Sequence, residues 1–157
     1  VFFPHQFYDS FGPLPRIIGA RRSIMQQLET APEEEWRLFP HASAVYVLMP
    51  NALLMYQGDH IETWRLEPID ANTTRAHTTL FAPEPPRTEK AHRYWMKNLE
   101  VLWTVATTED FPAQEIIHKN LQSGAVNDVV YGRIEPALIR VLQTVNDSVA
   151  WWRAAQC

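Results

Sequence analysis

The chain has 157 residues, 46% hydrophobic and 20% charged, the size and balance of one globular domain, which excludes wholesale disorder. A formal charge of -4 argues against a nucleic-acid surface, because phosphate binding needs clustered Lys and Arg. A single cysteine, Cys157, excludes an intramolecular disulfide and any CxxC metal site, and no run approaches the roughly 20 apolar residues of a membrane span. A reducing, cytoplasmic setting is expected. The chain opens on Val1 and enters patterned sequence at once, so a piece of something longer is expected.

Residues 1–15 gather Phe2, Phe3, Phe7, Tyr8 and Phe11 with Pro4, Pro13 and Pro15, without a strand or helix period. That composition predicts a segment packed onto a larger body. From Arg16 to Leu28, the apolar positions Ile17, Ile18, Ile24, Met25 and Leu28 predict a helix, or a strand followed by one, with Arg16, Arg21 and Arg22 on its solvated face. Ala31 to Glu35 reads as an acidic turn. The stretch from His41 to Glu84 is the clearest β region. Val45, Val47 and Met49 alternate with apolar Ala44, Tyr46 and Leu48, as in a strand covered on both faces or lining a cavity on one. After the Pro50-Asn51 turn, Leu53 to Tyr56 start a second strand, and Gly58-Asp59 punctuates again. Ile61 to Leu66 alternates with polar Glu62 and Arg65, and a turn at Asp70 to Thr73 leads into a β-rich run ending at Phe81. Short turns between consecutive strands imply an antiparallel meander.

Thr88-Glu89 is a helix start, and Tyr94, Trp95, Leu99, Leu102, Trp103 and Ala106 recur at helical spacing. An interruption is expected at Phe111-Pro112, because proline disfavours the α conformation of the residue before it. The helix should resume from Pro112 and stop at Ser123-Gly124. Val126 to Tyr131 reads as a short strand. Pro136 opens a last helix with Leu138, Val141, Leu142, Val145 and Val149 on one face. The whole predicts one α+β domain over residues 1–157, a meander folded around long helices.

None of the six histidines pairs with another at a helical metal-binding spacing, and His41 and His77 fall in expected strands. No P-loop, GxSxG or GxGxxG is present. The candidate for chemistry is Asp110, in Glu109-Asp110-Phe111-Pro112. At a helix break its carboxylate can point away from the axis into whatever the break faces. Equally, Asp110 or Thr108 can simply cap the resumed helix. Trp103, Ala106 and Thr107, one or two turns back, suit a pocket wall or plain core.

Three runs carry a family resemblance: Thr107-Thr108-Glu109-Asp110-Phe111-Pro112-Ala113-Gln114-Glu115, then Leu121-Gln122-Ser123-Gly124, then Tyr131-Gly132-Arg133-Ile134-Glu135-Pro136-Ala137-Leu138. Together they closely resemble the C-terminal end of the catalytic domain of Rieske-type aromatic-ring-hydroxylating oxygenases (alpha subunit). Phe11-Gly12-Pro13-Leu14-Pro15-Arg16, Met49-Pro50-Asn51 and Leu66-Glu67-Pro68-Ile69-Asp70 resemble further stretches of that family, in the expected order. The resemblance implies a helix-grip fold, an antiparallel sheet wrapped on a long C-terminal helix. It implies a mononuclear Fe(II) held by two histidines and one carboxylate, with open positions for dioxygen. Asp110 matches the carboxylate. The two histidines, and the Rieske domain with its 2Fe-2S cluster, would lie upstream of Val1, so the chain alone should be inactive.

Asn51, Leu53, Trp103, Ala106 and Thr107 are the candidate pocket lining. The intact parent would draw electrons from NAD(P)H through a reductase and often a ferredoxin. It would hydroxylate an aromatic or related hydrophobic molecule with O2, as a homotrimer or alpha–beta hexamer. A non-enzymatic hydrophobic-ligand binder of the same helix-grip architecture is the alternative.

Overall fold

A computed structural model describes residues 5–126 and 128–156. Two compact units divide the chain: residues 1–83 with 131–157, and residues 84–130. The first unit holds a six-stranded antiparallel sheet in sequence order. Its strands are β1 (His5–Phe11), β2 (Leu14–Ala20), β3 (Ala42–Leu48), β4 (Ala52–Tyr56), β5 (Ile61–Pro68) and β6 (Thr74–Phe81). Helix α1 (Ser23–Thr30) and two short 3-10 turns, Glu33–Glu35 and Phe39–His41, link β2 to β3. The second unit holds α2 (Glu89–Val105), a π-turn (Ala106–Asp110) and α3 (Phe111–Gln122). The last helix, α4 (Pro136–Ala154), returns to the first unit and packs against β2 and β1. The sheet and its long C-terminal helix make an α+β fold of the helix-grip class.

The meander follows the expected turns. The carbonyl of Asn51 accepts from Leu66 N–H at 2.8 Å, and its side-chain amide donates to Leu66 O at 3.0 Å, which locks β4 to β5. Asp70 Oδ1 accepts from the Asn72 N–H at 2.7 Å, the local bond that shapes the β5–β6 turn and holds the carboxyl below its ordinary range. Thr88 caps α2 by accepting from the Ala91 N–H, and α3 ends at Gly124 with φ +73°.

Register sorts the strands into two faces. On one, Ile18, Ala42 and Ala44 are buried beneath Leu38, Tyr46 and Tyr56, and Phe39 meets Tyr56 edge-on at 5.7 Å. On the other, Ile17, Val45, Met55, Glu62 and Leu80 form one cross-strand row. Val47, Leu53, Trp64 and Thr78 form the next. β3 is therefore apolar on both sides, as its composition implies.

Several expectations are corrected. The described part of residues 1–15 is no unpatterned strap but the β1–β2 hairpin, turned at Gly12 with φ +60°. Its period was hidden because both alternating sets, Phe7-Asp9-Phe11 and Gln6-Tyr8-Ser10, mix aromatic and polar residues. Pro15 is tolerated because β3 pairs with β2 only from Arg16 onward, so no second neighbour needs its missing N–H. Phe2, Phe3 and Pro4 lie outside the described residues. In β5 the sense of alternation is inverted: Glu62 and Trp64 are buried, while Ile61 and Leu66 are exposed. His41 closes a 3-10 turn and does not open the strand. Val126 and Asp128 to Tyr131 form no strand, for β propensity without a partner leaves the backbone unpaired, and Val130 is 91% exposed.

On α4 the buried positions are Ala137 and Thr144, while Leu138, Leu142, Val145 and Val149 are exposed. Close packing on the hairpin selects small and hydrogen-bonding residues there. Thr144 Oγ1 donates to Pro13 O at 3.3 Å and Arg140 Nη2 to Gly12 O at 3.1 Å.

Candidate functional site

Asp110 stands where the second unit departs from α geometry. Pro112 has no N–H for the carbonyl of Thr108, and its ring would crowd that carbonyl in a regular helix. The chain responds by widening one turn. Ala106–Asp110 is a π-turn, closed by Phe111 N–H donating to Ala106 O. Hydroxyls of Thr107 and Thr108 donate to the carbonyls of Trp103 and Thr104, at 2.8 and 2.7 Å. The expected interruption at Phe111-Pro112 is thus replaced by a continuous helix, with Phe111 at φ -64° and ψ -44°.

The capping alternative falls with it. Asp110 is itself helical and makes no side-chain cap bond, and Thr108 is bound one turn back. The Asp110 carboxylate is exposed, and among the described residues it has no hydrogen bond or ion pair. Of its suggested neighbours, Ala106 is buried, Thr107 is half-buried and Trp103 is exposed, all on the same run of helix. Asn51 and Leu53 belong to the sheet unit. Leu53 sits half-buried on the sheet face with Trp64, whereas Asn51 is exposed and its amide is engaged with Leu66.

A second polar constellation, missed in the sequence, occupies the Leu53 face of the sheet. Arg21 Nη2 donates to Ser43 Oγ at 2.9 Å and to the carbonyl of Gln57. Ser43 Oγ donates to Gln57 Oε1 at 3.2 Å, and Gln57 Nε2 to Glu62 Oε2 at 3.1 Å. The His60 ring lies between Glu62 Oε1 (3.0 Å) and Asp59 Oδ1 (2.7 Å). His60 and Glu62 are only 7% and 4% exposed. A carboxylate so buried is tolerated because both oxygens are hydrogen-bonded. The available signal is a His and a Glu two apart at the entry to a strand, a spacing that puts both on one face.

The donor chemistry can be set against iron. A carboxylate such as that of Asp110 is a hard oxygen donor of a kind that suits iron. The described residues do not complete a site, for no group of three His, Cys, Asp or Glu among them could hold a metal ion. His60 and Glu62 are committed to each other.

The sheet and its C-terminal helix define an α+β fold of the helix-grip class. A family model described as the ring hydroxylating alpha subunit (catalytic domain) matches residues 4–151, and the chain belongs to that family, a family of non-haem iron oxygenases. No curated protein and no solved structure gives a significant match. The stretches that carry the likeness are accounted for by the fold. Phe11 to Pro13 dock α4, Asn51 and Asp70 shape turns, and Gly124 ends α3.

Proposed function

We propose that Asp110 is the carboxylate ligand of a mononuclear ferrous site and that the sheet face bearing Val45, Leu53 and Met55 walls a pocket for an aromatic or related hydrophobic substrate. One observation carries the assignment: the family's carboxylate position falls on the last residue of a π-turn, exposed and without a partner among the described residues. Turns of this kind inside α-helices concentrate at functional sites. When bound, ferrous iron would supply dioxygen activation, with electrons from NAD(P)H delivered through a reductase and ferredoxin. This chain's own residues hold the carboxylate on the helix and set Val45, Leu53 and Met55 together on one sheet face.

The two histidine ligands and the 2Fe-2S cluster belong, on this reading, to polypeptide outside this sequence. The intact parent is a homotrimer or alpha–beta hexamer, and residues 1–157 are most of one of its catalytic domains. No helix among the described residues is long and apolar enough to cross a membrane, and we assign a cytoplasmic setting from the lone cysteine. Iron analysis of the intact oxygenase is the test. Asp110→Ala should lower iron affinity by orders of magnitude, since one protein ligand in three is lost. Stoichiometric iron in that variant would remove Asp110 from the site.

A further inference from the structure

Helix α4 has two apolar faces, and the β1–β2 hairpin covers one of them. Ala137 and Thr144 are buried on that side, with Arg140 and Val141 half-buried between them. Beside it, Leu138, Leu142, Val145, Val149 and Trp152 stand 40 to 55% exposed. Their spacings are four, three, four and three residues, the heptad rhythm of a helix that packs along its length on another helix. A surface helix without a partner puts polar residues on its outer face. Ile139 widens the seam near its N-terminal end and is exposed to the same degree.

Size and charge together point to what covers this seam. Exposed fractions of that order on Ile139 and the five seam residues amount to roughly 500 Å² of apolar surface. A standard protein–protein interface takes about 800 Å² per partner, somewhat over half of it apolar, or roughly 450–520 Å². A two-fold pair needs one self-complementary patch, and a heptad seam meets that condition when two copies run antiparallel. The charges agree. Within α4 the charged residues are Arg140, Asp147 and Arg153, and none occupies a seam position. Antiparallel pairing brings the Arg153 end of one helix to the Glu135 end of its copy, opposite in sign, and sets the two helix dipoles against each other. We propose that α4 is a dimerisation surface, on which a second copy of this chain seats its own α4 antiparallel along Leu138, Leu142, Val145, Val149 and Trp152. The contact is independent of both the iron and the pocket assignments.

Sedimentation equilibrium of the 157-residue chain tests it. A closed monomer–dimer equilibrium is expected, with a Kd on the order of 1–100 μM. Val145→Glu sets a charge in the middle of the seam and should weaken the dimer roughly thirtyfold or more. Ile116→Glu, which changes an equally apolar and exposed position on α3, should leave the Kd within about twofold of wild type. Methyl NMR maps the contact without any variant, so the test stands even if Val145→Glu does not fold. Shifts that depend on concentration should be confined to Leu138, Leu142, Val145 and Val149 and their neighbours. A wild-type chain that stays monomeric, or that associates without limit, overturns the proposal. So does a dimer that survives Val145→Glu, or one whose methyl shifts fall elsewhere.

Discussion

Glu62→Ala tests whether the polar network is a buried, satisfied part of the sheet. Both Glu62 oxygens accept hydrogen bonds, from Gln57 Nε2 at 3.1 Å and the His60 ring at 3.0 Å. The carboxylate and the His60 ring each have side chains only 5% exposed, so water cannot replace the lost acceptor without local opening. Each orphaned donor costs about 1–3 kcal/mol, so two give roughly 2–6 kcal/mol. That is a large share of the roughly 5–15 kcal/mol that holds an ordinary domain together. In thermal terms that is a fall of roughly 10 °C in Tm, since each kcal/mol moves a domain of this size by about 2–4 °C. Urea unfolding followed by far-UV circular dichroism reads the change through the midpoint, and an unchanged slope would confirm that the same surface is exposed. A loss below about 1 kcal/mol would refute the reasoning, because it would mean that the network is open to water. Glu62→Gln keeps the volume and one acceptor, and should fall between Glu62→Ala and the wild type.

Gly58→Ala forces a side chain onto a backbone at φ +94° and against Arg21 Nη1, so a loss of about 1–2 kcal/mol is expected from denaturant melts. The Asp70 carboxyl is lowered, first by the Asn72 N–H and then by the Thr73 hydroxyl. Its contribution is therefore present above the ordinary carboxylate range and is lost as pH falls through the lowered value. The urea midpoints of wild type and Asp70→Ala should differ at pH 7 and converge as pH drops below about 4. A gap that persists in acid would assign the effect to turn shape alone. Pro112→Ala restores an N–H for Thr108 O and removes the cause of the π-turn. Stability should not fall, while iron content of the intact oxygenase should, as Asp110 rotates away; retained iron would show that the turn does not position the ligand.

Much of the candidate site was legible only as residue identity. Asp110 stands out in the sequence beside Pro112, but proline at that spacing is equally compatible with a broken helix and a caps-and-restart reading. The decision turned on Thr107 and Thr108, whose hydroxyls satisfy carbonyls one turn back and let the helix widen instead of stopping. The polar network of Arg21, Ser43, Gln57, His60 and Glu62 was not legible at all, since its members come from three separate stretches and meet only through strand register. The same holds for the hairpin at Phe7 to Ile18, whose mixed faces hide the two-residue period until β3 shows which side is covered.

By itself, the sequence determined the meander from Ala42 to Phe81, the helix starts at Thr88 and Pro136 and the stop at Gly124. Those features arise from local causes: turn residues, caps, and an alternation that each segment carries within itself. Tertiary structure decided which face of each element is inward. α4 presents Ala137 and Thr144 to the hairpin instead of its leucines, because close approach to the Gly12 and Pro13 carbonyls requires small and donating side chains. β5 buries Glu62 and leaves Ile61 outside, because the His60 ring and the Gln57 amide on neighbouring positions satisfy the carboxylate. Burial of that kind depends on partners that the β4–β5 hairpin sets side by side on one face, and only the register between strands supplies them.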